Sequence, residues 1–99
     1  MKLKDFQLLP KSDTGRFGNQ AVLDFGKYHL SIIDDGYGRD SGLYEIAVFE
    51  AEDGVANGFV RLPGITAEDD DVLGYLTEEA VDAIIMKLYT ITGTKPTQV

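Results

Sequence analysis

The strongest structural signal in the sequence is an amphipathic helix that begins after Thr77 and ends at Gly93. The hydroxyl of a capping threonine accepts a hydrogen bond from the first turn of a helix, and glycine readily takes the left-handed conformation that ends one. Between these two residues the apolar side chains recur at helical spacing: Val81, Ile84, Ile85, Leu88 and Ile91. A helix with one apolar face must bury it, so the preceding residues are expected to form the surface that covers it.

Residues 21–33 predict a β-hairpin. Apolar segments flank Gly26-Lys27, and glycine at the first central position is typical of a two-residue type II′ turn. This turn fixes the register, so three cross-strand pairs are expected on one apolar face: Phe25–Tyr28, Leu23–Leu30 and Ala21–Ile32. The opposite face pairs Asp24 with His29, which we interpret as a solvent-exposed cross-strand pair.

Residues 43–50 predict the most regular strand of the chain. Apolar side chains alternate onto both of its faces, which is typical of a central strand or of one covered on its second side. Two turn signals follow, Asp53-Gly54 and Asn57-Gly58, and the sequence does not choose between them.

The remaining segments are shorter and less regular. Residues 59–62 predict a return strand, residues 72–76 a short edge strand, residues 1–19 an arm or short strand followed by a loop, and residues 94–99 a frayed tail. A chain of 99 residues is the size of one domain. The predicted fold is therefore a single α+β domain, in which an antiparallel meander of about four strands is covered on one face by the C-terminal helix.

Negative charge dominates the chain, which has 17 acidic and 9 basic residues and a net charge of −8. Residues 28–86 alone contain fourteen acids and two arginines. This charge repels nucleic-acid phosphates and attracts basic protein surfaces, although it also keeps a small domain in solution. The predicted partner-binding acids lie before and within the helix, and the sequence does not decide whether they form one patch: Glu68, Asp69, Asp70, Asp71, Glu78, Glu79 and Asp82.

The composition supplies few catalytic groups. His29 is the single histidine and cysteine is absent, so neither an enzymatic activity nor a cofactor is expected, and no catalytic or metal-binding residues are assigned. The glycine-rich segment 34–42 contains Gly36-Tyr-Gly38, but a predicted strand follows where a dinucleotide-binding loop needs a helix. Its aspartates leave divalent-cation binding as an alternative, although the EF-hand spacing is absent.

Further residues are predicted to lie at the surface. Tyr37 and Arg39 occupy the tip of the glycine-rich loop and are predicted partner contacts, because loops on rigid scaffolds commonly carry recognition. Ala83, Met86 and Tyr89 make the outer helix face apolar; Met86 and Tyr89 form either a contact surface or, as we favour, a surface covered by a neighbouring loop such as the N-terminal arm. No apolar run approaches a membrane span or a signal-peptide core, so a cytoplasmic protein without membrane contacts is expected.

Four segments together resemble the small uncharacterised accessory proteins of tailed bacteriophages: SIIDDGYG, GLYEIAVFE, VRLPGIT and GYLTEEAVDAIIMKLYTITG. The resemblance implies a phage-encoded viral protein acting in the host cytoplasm, and it brings no catalytic residues with it.

These observations predict an acidic, non-enzymatic interaction protein that binds a basic surface of a host protein. Inhibition of a nucleic-acid-binding factor by imitating the charge of DNA is one form that this interaction takes among phage proteins. A structural or self-assembling phage component and a divalent-cation-binding module are the alternatives.

Overall fold

The computed structural model describes residues 1–11 and 18–99, so most of the loop predicted within residues 1–19 lies outside the described residues. One α-helix and seven strands are formed: β1 Leu9–Pro10, β2 Asn19–Asp24, β3 Tyr28–Ile33, β4 Tyr44–Glu52, β5 Val55–Phe59, β6 Val72–Leu76, α1 Glu78–Thr92 and β7 Thr97–Gln98. Short 3-10 turns occupy Leu3–Asp5 and Arg39–Ser41. None of the described helices has the length and apolar composition needed to cross a membrane.

All strand pairs are antiparallel, and β1 to β5 lie side by side in chain order. β2 pairs with β1 at its start and with β7 at its end, both along the same edge. In the same way, one edge of β4 pairs with β6 at its start and with β5 at its end. The predicted α+β class is confirmed, but the expected number of about four strands was too low. The two-residue strands β1 and β7 are too short to show the alternation by which strands are recognised in a sequence.

The β2–β3 hairpin has the predicted register. Leu23 pairs with Leu30, Ala21 pairs with Ile32, and the Phe25 N–H donates to the Tyr28 carbonyl at 2.8 Å. Gly26 has a φ of 86°, the positive value that the first central residue of a II′ turn requires.

One hydrophobic core lies between this face of the sheet and α1. The sheet contributes Leu23, Phe25, Leu30, Ile32, Ile46 and Val48, and the helix contributes Val81, Ile84, Ile85 and Leu88. Leu3 from the N-terminal arm and Ile65 from the loop after β5 close its ends. The predicted helix therefore covers the predicted face of the sheet.

The helix begins and ends as predicted, but its apolar face is shorter. The Thr77 hydroxyl accepts from the Ala80 N–H at 3.1 Å, and Gly93 is left-handed with a φ of 67°. Ile91 is 58% exposed, which corrects its assignment to the core, because the last helical turn extends past the sheet-facing core residues. Tyr89 packs against the core, whereas Met86 remains 49% exposed, so the predicted cover is absent for Met86.

The β4–β5 turn uses the first of the two candidate turn sites. Asp53 and Gly54 have φ values of 53° and 79° and connect Glu52 with its partner Val55. Asn57-Gly58 instead lies inside β5, at a shift of register with β4. The return strand is thus Val55–Phe59, which corrects the predicted strand 59–62. The earlier turn brings the chain back before Phe59 is reached.

The C-terminal tail is not frayed, contrary to the prediction. β7 pairs with β2, and the Val99 N–H donates to the Val22 carbonyl at 2.9 Å. The Gln98 side chain also exchanges hydrogen bonds with the backbone of Gln7 in the N-terminal arm. The tail was misjudged because these backbone partners are distant in sequence.

Asp24 and His29 pair across the strands as predicted, but the prediction that this pair is solvent-exposed is wrong, because His29 is buried on the sheet face opposite α1 with 4% of its surface exposed. Its Nε2 lies 3.6 Å from Oδ1 of Asp24, which is instead hydrogen-bonded to the Gly26 N–H at 2.7 Å. Cross-strand pairing with Phe49, which stacks near Phe59 with ring centroids 4.5 Å apart, places large side chains beside the imidazole. Side chains of neighbouring strands therefore bury a position that the alternation alone placed in solvent.

Candidate interaction surface

Two of the seven predicted partner-binding acids contact groups ten or more residues away in the chain, and a third, Asp70, accepts a hydrogen bond of 3.4 Å from the Val72 N–H. Oδ1 of Asp71 lies 3.3 Å from Nε of Arg61, which forms an ion pair across the loop between β5 and β6. Oδ1 of Asp82 accepts a hydrogen bond of 2.7 Å from the backbone N–H of Leu3 and so fastens the N-terminal arm to α1. These two carboxylates are therefore not equivalent to the other five.

The other five acids are exposed, and no ion pair joins them to residues 1–11 or 18–99. Glu68, Asp69 and Asp70 precede β6, and Glu78 and Glu79 follow it in the first turn of α1. The predicted acids thus lie in two stretches of the chain, one before β6 and one after it.

Acids of the glycine-rich loop also have internal partners. Asp34 accepts from the backbone and side-chain N–H groups of Asn19 at 2.7 and 2.9 Å, and Asp35 lies 2.5 Å from Nζ of Lys11. Glu45 accepts from the Tyr37 N–H at 3.2 Å. These contacts fasten both ends of the loop to the sheet. The described part of the chain contains no group of three or more acidic or histidine side chains placed to hold a metal ion.

The loop presents Tyr37 and Arg39 to solvent, as the sequence predicted. Tyr37 is 59% exposed, and the Arg39 side chain is 63% exposed with Nε 4.0 Å from Oδ1 of Asp40. Gly38 and Gly42 flank the 3-10 turn Arg39–Ser41 with φ values of 100° and 70°. The glycines let the backbone reverse at both sides of this turn, which leaves its side chains outside the sheet.

β6 contains a functional candidate that the sequence reasoning missed. Its pairing with β4 shifts register so that Gly74 and Tyr75 together face one residue, Glu45, which is the arrangement of a β-bulge. Leu73 and Leu76 would lie on opposite faces of a regular strand, but with the extra residue both pack against the core. Tyr75 is turned outward, is 69% exposed, and has a φ of 57°. Glycine inside a short apolar strand is the signal that indicates such a bulge.

The bulge and the loop fit together closely. The Tyr75 N–H donates to the Tyr37 carbonyl at 2.9 Å. A β-carbon on Gly74 would overlap the β-carbon of Tyr37, and one on Gly38 would lie 3.0 Å from the α-carbon of Tyr75. Between them the loop and Tyr75 line a cleft of about 420 Å³.

A second, more apolar cleft of about 350 Å³ lies where Pro63 and Ile65 approach the outer face of α1. Met86 and Ile91 line it, and Nζ of Lys87 donates to the Gly64 carbonyl at its side. The two clefts differ in chemistry: the first is lined by tyrosines, charged side chains and glycine backbone, and the second mainly by aliphatic groups.

The pKa of the Asp5 carboxyl is shifted by contacts within the N-terminal arm. The Lys2 N–H donates to Asp5 at 2.8 Å, and the terminal ammonium lies 3.2 Å away; these contacts lower the pKa of Asp5 below its ordinary value. Asp5 is exposed and belongs to the N-terminal arm.

Comparison of the chain with protein-family models, with curated proteins and with solved structures gave no match.

Proposed function

We propose that the protein is a non-enzymatic interaction protein that binds a basic surface of a protein partner. The observation that carries this proposal is the pair of exposed acidic groups at the two ends of β6, within a segment whose charge is −12. Asp71 forms an ion pair with Arg61. Glu68, Asp69 and Asp70 are exposed and form no ion pair with the described residues, so they remain available to a partner.

Electrostatic attraction provides the first step of this recognition. Complementary charge speeds encounter and discourages unsuitable partners, and its effect decays over about 10 Å at 0.1 M salt. Exposed acids both before and after β6 favour a partner with several basic residues rather than a single cation. The resemblance to phage accessory proteins supports a bacterial host factor as that partner, with inhibition by charge mimicry if the factor binds nucleic acid.

Self-assembly has less support than binding to another protein. β5 forms an exposed sheet edge with Val55 and Phe59 at its ends, but its bulge at Asn57 disturbs the regular edge that a second strand would need. The strong net negative charge also makes contacts between two copies unfavourable.

The test compares two triple variants with the same change in net charge. Glu68→Gln/Asp69→Asn/Asp70→Asn neutralises the group before β6, and Glu50→Gln/Glu52→Gln/Asp53→Asn neutralises exposed acids at the β4–β5 turn. Each immobilised protein is used to capture partners from a bacterial lysate, and the captured proteins are identified by mass spectrometry. We expect the first variant, but not the second, to lose a basic partner whose binding weakens with added salt. Equal loss from both variants contradicts a role for this surface.

A further inference from the structure

Tyr37 and Tyr75 line an aromatic cleft that sequence-based reasoning did not identify. Tyr75 lies on β6, between the two acidic stretches of the chain, and Tyr37 reaches it from the glycine-rich loop through a backbone hydrogen bond of 2.9 Å. Both side chains are more than half exposed, although apolar rings are usually covered in a small domain. The cleft of about 420 Å³ that they line also contains Asp40, whose side chain is 96% exposed.

The two rings are held by a rigid backbone. Gly38 and Gly74 allow the loop and the bulge to approach within distances that a β-carbon would prevent. Glu45 accepts from the Tyr37 N–H on one side, and the Gly38 carbonyl accepts from the Leu43 N–H at 3.0 Å on the other. Tyrosine has only two side-chain torsions, so a ring presented from a fixed backbone loses little entropy when a partner binds.

Tyr75 has a backbone conformation that is unusual for its residue type. A left-handed φ of 57° is unfavourable for a bulky side chain and favourable for glycine or asparagine. The exposed ring makes few contacts that would offset this strain within the domain. Strained residues of this kind cluster at binding sites, where the surrounding structure holds them in place.

We propose that the Tyr37–Tyr75 cleft binds an arginine side chain of the basic partner, which rests on the function proposed above. A guanidinium group stacks on tyrosine rings by cation–π attraction, and its planar array of donors matches a carboxylate such as that of Asp40. The acidic groups at the two ends of β6 attract the basic residues on either side of that arginine. The cleft thus supplies the short-range anchor, and the surrounding acids supply the long-range attraction.

Arg39 at the rim of the cleft is compatible with this occupant. Its guanidinium lies 4.0 Å from Asp40 and is largely exposed, so it can turn toward solvent or toward backbone carbonyls of the partner. An anionic occupant would be held by this one arginine against a segment of charge −12. The net charge of this segment therefore favours a cation over an anion.

The test uses a fluorescein-labelled peptide of twelve residues, in which arginine alternates with glycine and serine, and its lysine counterpart. Affinity is measured by fluorescence anisotropy over a range of salt concentrations for the full chain and for Tyr75→Asn, Tyr37→Asn and Phe59→Asn. Phe59 is the matched control because it is a 52% exposed aromatic residue outside the cleft. Asparagine tolerates the left-handed conformation, so Tyr75→Asn should remain folded, which its thermal melt checks.

We expect each tyrosine variant to bind the arginine peptide about two- to thirtyfold more weakly, with an unchanged dependence on salt, and Phe59→Asn to bind as the parent does. The lysine peptide should bind more weakly than the arginine peptide to the parent, and should lose less in the tyrosine variants. Equal affinities of the parent and both tyrosine variants for the arginine peptide would overturn the proposal that the cleft binds arginine. An equal loss of affinity in Phe59→Asn would overturn it as well.

The failure of this inference is distinguishable from failure of the proposed function. Binding that is reduced in Glu68→Gln/Asp69→Asn/Asp70→Asn but retained in Tyr75→Asn overturns the cleft alone. Absence of binding of either basic peptide to the parent, even at low salt, overturns both.

Discussion

The β2–β3 hairpin and the far edge of β4, formed by β5 and β6, differ in how regularly their strands pair. The hairpin keeps one register over five residue pairs and places glycine at its left-handed turn position, Gly26. Both strands of the far edge shift register against β4, and β6 places Tyr75 at a left-handed position where glycine would be unstrained. The regular pairing builds the core, and the irregular pairing displays side chains to solvent.

This difference separates residues that maintain the fold from residues available for recognition. In the hairpin the apolar side chains are almost completely buried, as for Leu23 and Leu30. On the far edge Phe59 and Tyr75 are more than half exposed, and Tyr75 lies in the β6 bulge. Bulges redirect side chains and occur often beside functional sites, which agrees with the location of the aromatic cleft.

The largest expected difference in stability is between truncation of an apolar side chain in the hairpin and truncation of one on the far edge. Leu30→Ala should lower the free energy of unfolding by about 2–5 kcal/mol, because it leaves a cavity between the sheet and α1. Phe59→Ala should cost about 1–2 kcal/mol, because half of the ring is already exposed and mainly its contact with Phe49 is lost. Urea denaturation measures both values. Equal costs would mean that the far edge contributes as much to the core as the hairpin does.

A smaller contrast is expected between two glycines of the far edge. Gly74→Ala should lower the free energy of unfolding by about 1–3 kcal/mol, because its new methyl group would overlap the Tyr37 β-carbon and displace the loop. Gly58→Ala is the matched control: no atom lies within 4 Å of the new methyl group and the φ is not positive, so a change within about 0.5 kcal/mol is expected. Thermal and urea denaturation of both variants check this. Similar stability of the two would show that the loop and the bulge are not closely fitted.

The same comparison explains which features could be predicted from the sequence. The hairpin register and the helix ends follow from local rules, since Gly26, Thr77 and Gly93 specify backbone geometry within a few residues. The bulges and β7 depend on partners that are distant in the chain, and an alternation pattern carries no information about which strand supplies the extra residue.

Candidate-site prediction followed the same division. The exposure of Tyr37 and Arg39 follows from their position in a glycine-rich loop, and the sequence suffices to predict it. The burial of His29 depends on side chains of adjacent strands. Asp71 and Asp82 have internal partners, Arg61 and the Leu3 N–H respectively, that lie far from them in the sequence. Net charge thus locates the acidic segment but does not identify the acids that internal contacts occupy.

The smallest expected effects concern the two left-handed positions themselves. Gly26→Ala should lower the free energy of unfolding by about 1 kcal/mol, since a β-carbon is unfavourable at a φ of 86°. Tyr75→Asn should raise it by up to about 1 kcal/mol, because asparagine tolerates the conformation and the exposed ring contributes little packing. Tyr37→Asn, at a position without positive φ, controls for loss of an exposed ring and should give no such gain. A loss of stability in Tyr75→Asn equal to that in Gly26→Ala would show that the ring supports the fold, and the strain at Tyr75 would then give no reason to assign its ring to a partner.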